Sequence, residues 1–414
     1  MGWILRGGLS KLGVRLGDNR GGVRVEAIER PLLRLGRLEL DAGLRALRPG
    51  PAASDLVVTA AVEVPVSDSE PQYAWEVAWA DAGREAEALG AGQRTAQVLA
   101  AGSGVVPADG SRVVVAAHGE VLLTRWLPPG TAGSVRVGPL PHLREAAAAA
   151  ARRPAYVVVL ADRDDAVVIA HVAGDLRQAR RYDTGARPGT HPGPHPDRPP
   201  AQHHGERHLT GSEPLSGGER NAAFTAGRVA EAATSVGAHI VLGAGDQHIL
   251  DAVGKHLPGS LSPVITIASG PVPGDGDERL GAEIAAALDE ITGEAISAVG
   301  DLVSSAATAP EPGAVRGIEA VARQLAEQQV AVLLVASDLS QDDGSDYRLG
   351  SSPTQFGAGD AGTGDASTEI PVPLEDGLVW AALHQDAIVV QLPDRSGPLA
   401  GQPAAALLRR GAAS

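Results

Sequence analysis

Residues 191–208 read His-Pro-Gly-Pro-His-Pro-Asp-Arg-Pro-Pro-Ala-Gln-His-His-Gly-Glu-Arg-His and hold five of the chain's twelve histidines with almost nothing apolar. Such a segment cannot bury a core. Prolines at 192, 194, 196, 199 and 200 also deny it a helix. The fold must therefore be built on either side of it. The segment then runs as a long polar loop between a strand-patterned stretch, Tyr156 to Tyr182, and a helix, Glu219 to Val236. Loops of this kind on a rigid scaffold are where function concentrates.

The rest of the chain has the means to fold. At 414 residues, with about 100–200 residues per domain, two to three domains are expected. Apolar residues make up 43 % but aromatics only 3 %, so the cores must be packed from Ala, Val, Leu and Ile. The formal net charge of −15 argues against a generic polyanion binder. The charge is uneven, however: residues 6–48 carry ten Lys+Arg against five acids, residues 177–208 six Arg against three, and residues 338–376 nine acids against one Arg. A local basic loop on an acidic protein is compatible with docking to RNA at one place. There is no cysteine, which excludes disulfides, thiolate zinc sites and cysteine nucleophiles. No apolar run reaches 18 residues and the N-terminus lacks the apolar region of a signal peptide, so a cytoplasmic protein with no membrane partner is expected.

Along the chain, residues 1–50 read as a basic N-terminal extension and 51–150 as an α/β domain. In that domain residues 55–63 form a strand, Gln72 to Ala101 a long helical stretch, and Arg112 to Arg125 a hairpin turning at His118-Gly119-Glu120. Residues 151–306 read as a middle α/β domain carrying the long His/Pro-rich loop 184–218. Its strands 154–162 and 165–171 turn at Arg163-Asp164. After the loop come a strand 239–243, a helix 246–256, a strand 263–268 and a helix from about Glu278 to Ser305. Strands alternating with helices imply a largely parallel sheet covered on both faces. Residues 307–414 read as a C-terminal α/β/α sandwich domain: helix Ala314–Gln328, strand 330–335, a solvated acidic excursion to about Glu369, a strand pair (378–383 and 387–392) turning at His384-Gln385-Asp386, and a short helix near 404–410.

The polar signals admit plain readings beside chemical ones. In the loop, imidazoles and guanidiniums suit contacts to phosphates and unpaired bases. His203, His204 and His208 include an i, i+4 pair that could ligate a metal, though without a helical frame upstream, and a tether with no site is the third reading. Gly243-Ala-Gly245-Asp246 lacks the full Gly-x-Gly-x-x-Gly pattern and is read as a tight turn with Asp246 as N-cap. Trp75 and Trp79, one turn apart, are read as core. His118 and His384 are placed in turns facing solvent. No Gly-x-Ser-x-Gly nucleophile elbow occurs.

Four stretches carry a family resemblance. They are Gly110-Ser-Arg-Val-Val-Val-Ala-Ala-His-Gly-Glu-Val-Leu-Leu with Val137-Gly-Pro-Leu-Pro-His142; Arg153-Pro-Ala-Tyr-Val-Val-Val-Leu-Ala-Asp162; His239-Ile-Val-Leu-Gly-Ala-Gly-Asp246; and Gly317-Ile-Glu-Ala-Val through Val332-Leu-Leu-Val-Ala-Ser-Asp338. Their order and spacing, over roughly residues 51–412, resemble the bacterial archaeo-eukaryotic release factor-like proteins, family 2, and within them the branch of mycobacterial latency-associated release-factor-like and Balon-type hibernation factors. The resemblance implies three α/β domains, binding to the ribosome and its rRNA in the A site during hibernation or stress, and elongation factor Tu as a further partner. It implies no cofactor, no metal and no DNA partner. The candidate contact residues are Arg187, His195, Arg198, Gln202, His203, His204, Arg207 and His208. Release factors of this type carry Gly-Gly-Gln at the loop tip, where the glutamine orients a water against the peptidyl-tRNA ester. Here Gln202 lies between Ala201 and His203, and Gly217-Gly218 is followed by Glu219, so the glycines that allow close approach are missing. A non-catalytic factor is the expectation; the alternative is a peptidyl-tRNA hydrolase or ribosome-rescue factor using Gln202.

Overall fold

The computed structural model describes residues 31–50, 56–63, 71–102, 104, 111–127, 133–162, 166–173, 179–183, 217–261, 263–269, 278–308, 313–339, 347–350, 352–358 and 369–409. The chain divides into two compact units, each of mixed α/β structure. One comprises Met1–Pro154, Ala173–Leu176 and Leu288–Ser414; the other comprises Ala155–Val172 and Arg177–Ala287.

The first unit holds two larger sheets. Strands β1 (Val57–Glu63), β2 (Ser111–Ala117), β3 (Glu120–Leu127) and β4 (Ser134–Gly138) form an antiparallel sheet in the order β3-β2-β1-β4. Both of its faces are buried, and the alternation of side chains sorts β1 between them. Val58, Ala60 and Val62 meet Trp75, Trp79 and Leu99; Val57 and Ala61 face a second core with Leu44, Leu47 and Leu143. That second core draws on residues 31–50, through the short helix α1 (Ala42–Ala46) and the leucines at 38, 40, 44 and 47. The stretch expected as one long helix is two: α2 (Pro71–Ala88) and α3 (Gln93–Ala101). Gly90, at φ +99, ends the first, because a residue there must adopt a conformation that glycine adopts without strain. Trp75 and Trp79 are fully buried and meet edge to face at 5.7 Å. The His118-Gly119 hairpin turn forms as expected, with φ +53 and +76, the geometry of a type I′ turn. A helix α4 (Arg144–Ala151) follows β4.

In the second unit, β5 (Tyr156–Ala161), β6 (Ala166–His171), β7 (Ala179–Asp183), β8 (Ile240–Gly245) and β9 (Val264–Ser269) form a sheet in the order β7-β6-β5-β8-β9. The expectation of a largely parallel sheet is met only by β5, β8 and β9; β6 and β7 add on antiparallel. Helices α5 (Gly217–Val236) and α6 (Gln247–His256) pack their alanines, Leu250 and Val253 inward. A long helix, α7 (Glu278–Ala306), follows β9, and its part from Leu288 onward belongs to the first unit.

Continuing in the first unit, β10 (Ala314–Arg316), α8 (Ile318–Ala326), β11 (Val330–Ala336), β12 (Tyr347–Leu349), β13 (Phe356–Ala358), β14 (Ile370–Pro371), α9 (Leu374–His384), β15 (Ile388–Leu392) and β16 (Ala404–Leu408) complete the chain. The second sheet runs β10-β16-β11-β15. Val321, Leu325 and Trp380 cover one face and Ala295, Val299 and Val303 the other. A bulge between Val330 and Val332 resets which residues of β11 face which side.

Four sequence expectations are corrected here. Residues 378–383 belong to the helix α9 and form no strand. Nine of its eleven residues are buried, so the run is apolar all round and its periodicity cannot distinguish helix from strand. Residues 404–408, Ala-Ala-Ala-Leu-Leu, form an inner strand despite alanine's helix propensity, because pairing with β10 and β11 on either side outweighs that small preference. Ala314–Arg316 is a strand, cut from α8 by Gly317 at φ +86. Within the acidic excursion, β12, β13 and β14 form a small antiparallel sheet whose Tyr347, Leu349, Phe356 and Ile370 are buried.

Candidate functional site

The His/Pro-rich loop residues Arg187, His195, Arg198, Gln202, His203, His204, Arg207 and His208 lie outside the described residues, as does the turn at Arg163–Asp165. The frame around the loop is described. Asp183, the last residue of β7, pairs with Val167, which pairs with Leu160 near the carboxyl end of β5. β5 and β8 run parallel, so the chain enters the loop at the end of the sheet where both these strands terminate. It returns at Gly217, the first residue of α5, which runs back to the start of β8. In parallel sheets this end is where ligands are bound.

The β8–α6 turn stands at the same end. Asp246 accepts hydrogen bonds from the backbone N–H groups of His248 (2.9 Å) and Ile249 (3.4 Å), the N-cap role expected of it. Its own N–H donates to the Ala161 carbonyl at 2.8 Å. Gly245, at φ +116, has no room for a side chain, since a Cβ would overlap that carbonyl. Gly243 is closed in the same way by Leu250 and Val264. The glycines serve close packing of strand and helix. On α5, Phe224 is 52 % exposed, next in sequence to the buried Thr225 and Ala226.

Among the described residues, a dense cluster of titratable groups lies elsewhere, in the first unit. His142 stands just before α4, Arg144 and Glu145 in its first turn, and Glu375 and Asp376 in the first turn of α9. His142 Nδ1 is 2.8 Å from Asp376 Oδ1, and its Nε2 is 2.9 Å from Glu145 Oε2. Its backbone N–H donates to Thr59 Oγ1 at 2.9 Å. Arg144 donates to Glu145 Oε1 (3.0 Å) and to the Ser337 carbonyl (3.2 Å). Arg144 Nε approaches Glu375 Oε1 at 2.7 Å, a charge contact bent away from hydrogen-bond geometry. The His142 and Glu375 side chains are 5 % and 6 % exposed.

Burial alone would push the His142 pKa down, but its hydrogen bonds to Asp376 and Glu145 outweigh this and raise it to about 9. Glu145 feels burial in the opposite sense, yet its bond to His142 holds it at about 2. Glu375 is raised, chiefly by burial, with Arg144 and His142 opposing. At neutral pH His142 and Arg144 are thus both cations, with Glu145 ionised between them. Among the described residues, His142, Glu145 and Glu375 are a group that could ligate a metal, their donor atoms lying within 4.8 Å of one another. Arg144 and the protonated His142 already supply the positive charge there, so the arrangement reads as an ion network fastening α9 to the segment before α4. Sequence reasoning did not single it out. The legible signal was His142-x-x-Glu145 at one-turn spacing and a Glu-Asp pair opening a helix; their meeting was not legible.

His171 and His384 are two further half-buried histidines. His171 stacks on Tyr156 at 4.4 Å, and burial lowers it to about 4. His384 was expected to face solvent in a turn. It ends α9 instead, 4.2 Å from the Trp380 ring, and burial together with Arg45 and Arg48 lowers it to about 4. His118 is exposed, as expected.

The described structure is a mixed α/β protein in which Asp183, at the end of β7, and Gly217, opening α5, flank residues 184–216. Residues 155–308 match the model of the bacterial archaeo-eukaryotic release factor family 2, so this segment, less than half of the chain, is release-factor-like. No curated protein matches the chain at a significant level. Among solved structures, Pelota from Archaeoglobus fulgidus is 17 % identical over 74 % of this chain and 80 % of its own, with a TM-score of 0.31. A model of ribosome-bound archaeal Pelota and ABCE1 gives 14 % identity over 92 % and 98 %, with a TM-score of 0.37. Dom34 of S. cerevisiae, a translation termination-like factor interacting with Hbs1, gives 11 % over 70 % and 74 %, with a TM-score of 0.33. At TM-scores below 0.5 these likenesses carry no assignment for this chain. No helix among the described residues is long and apolar enough to cross a membrane.

Proposed function

We propose that this protein is a ribosome-associated, release-factor-like translation factor that does not itself hydrolyse peptidyl-tRNA. In this reading it occupies the A site of idle ribosomes in hibernation or stress, as the Balon-type branch is understood to do, with rRNA as its direct partner and elongation factor Tu as a second. The observation that carries the reading is the match of residues 155–308 to release factor family 2. The polar stretch within that segment has no Gly-Gly-Gln; its Gln202 stands between Ala201 and His203. Backbone amides flanked by glycine are what would let a loop approach the ester and stabilise its oxyanion. Arginines and imidazoles in their place suit phosphate and base contacts.

Sucrose-gradient sedimentation of the full chain with 70S ribosomes tests the association. Co-migration resistant to moderate salt is expected, and so is its weakening when Arg198, His203, His204, Arg207 and His208 are replaced by Ala. Confinement of the wild type to the top of the gradient would overturn the reading. Release of labelled peptide from stalled ribosomes, lost in Gln202→Ala, would replace it by the hydrolase.

A further inference from the structure

The turn that ends α9 is ringed by arginines from two distant parts of the chain. Arg45 pairs with Asp386 Oδ1, and Arg37 donates to the Asp386 carbonyl at 3.3 Å. Arg409 donates to the carbonyls of Gln385 and, at 2.9 Å, Val330. Arg48 caps the end of α1, reaching the carbonyls of Arg45, Ala46 and Leu47 at 3.3–3.5 Å. Among the described residues, Asp386 pairs with Arg45 and Glu39 lies 3.2 Å from Arg37. Among the described residues, four guanidiniums thus gather around two carboxylates, on a chain whose net charge is −15.

Positive charge at a helix C-terminus is stabilising, and one or two of these arginines suffice for that. The others keep access to solvent: the Arg45 and Arg37 side chains are 38 % and 26 % exposed, and Arg48 is exposed. We infer that Arg37, Arg45, Arg48 and Arg409 form a phosphate-docking surface for RNA, separate in sequence from the His/Pro-rich loop. Guanidiniums present paired N–H donors that match phosphate oxygens. A protein partner would call for an apolar anchor at the centre of the interface; here Asp386 and its guanidiniums stand at the centre. The inference rests on the ribosomal reading for its biological target, but RNA binding tests it alone.

The experiment is a salt titration of binding to a short fluorescent poly(U) oligomer and, in parallel, to 70S ribosomes. It compares the full-length wild type, Arg37→Gln/Arg48→Gln, and Arg84→Gln as an exposed arginine elsewhere. Loss of two phosphate contacts should lower the log–log salt slope on poly(U) by about 1.4, at about 0.7 per contact on single strands; Arg84→Gln should match the wild type. If the double variant melts early, Arg48→Gln alone should lower the slope by about 0.7. Equal slopes overturn the surface, and if both proteins still sediment with ribosomes the functional reading stands. RNA binding through these arginines without ribosome co-sedimentation supports the surface and removes that reading. Binding to polyglutamate but not to poly(U) overturns the inference in favour of an acidic protein partner.

Discussion

The His142 ring sits between Asp376 and Glu145, with Asp376 lying 234 residues away in sequence and 2.8 Å away in space. The consequence is a pH signature. The ring's proton affinity rises from an ordinary pKa of 6.5 to about 9 on folding. Its contribution to stability is therefore complete below pH 6.5 and is lost as the pH rises through about 9. Each pKa unit corresponds to about 1.4 kcal/mol, so the contribution is on the order of a few kcal/mol. On the acid side, His171 and His384 are held at about 4 by burial. The unfolded chain takes up those protons first, so stability falls as the pH drops from 6.5 through about 4. Thermal melts across pH should show a maximum near 6.5, and His142→Gln should flatten the alkaline limb, keep the fall between 6.5 and about 4 that His171 and His384 cause, and reduce the further loss below 4.5, since Glu145 is no longer held at about 2. An alkaline limb unchanged in that variant would show that the pairing contributes nothing.

Arg144 touches Glu145, Glu375 and the Ser337 carbonyl at once. Arg144→Met strands the Glu375 carboxylate in a buried position, and breaking a buried pair from one side costs about 3–5 kcal/mol. Adding Glu375→Leu should recover much of this, since an apolar pair of similar volume removes the stranded charge. Denaturant unfolding of the two single variants and the double variant measures the coupling; additive losses would count against it.

The β8–α6 turn separates two costs. Asp246→Ala removes the N-cap and should cost about 1 kcal/mol. Gly245→Ala forces an L side chain to φ +116 against the Ala161 carbonyl. Strain of that kind costs about 1–3 kcal/mol before any overlap is relieved. Chemical denaturation of the full chain should therefore rank Gly245→Ala as the more damaging. The reverse order would mean that the turn relaxes freely.

The Phe356 ring stacks on Tyr347 at 5.4 Å and fills the space a Cβ at Gly377 would need. Phe356→Ala should cost about 3–5 kcal/mol and release the small sheet β12–β14, visible as faster proteolysis between residues 338 and 369. Gly377→Ala should release it too, by displacing the ring. Proteolysis unchanged in both would show that the sheet is held by other contacts.

Much of the architecture was legible along the chain. The apolar strands β5, β8 and β11, the His118-Gly119 turn, the Trp75/Trp79 face and the Asp246 cap all announce themselves through local pattern, because periodicity, turn chemistry and capping act over a few residues. Where a segment is apolar on every side, local pattern carries no such information. Residues 374–384 and 404–408 could be helix or strand until their neighbours settled it: α9 lies on the face of a sheet and β16 inside one.

By itself, the sequence determined that the cores would be built from small aliphatic side chains and that the chain has no thiol chemistry. Composition and short-range pattern decide such things. Only the tertiary structure decided that His142 would meet Asp376, that Arg45 would meet Asp386, and that leucines from residues 31–50 would complete a core. Those pairings depend on which distant elements share a buried space, where low dielectric and close packing make each partner matter.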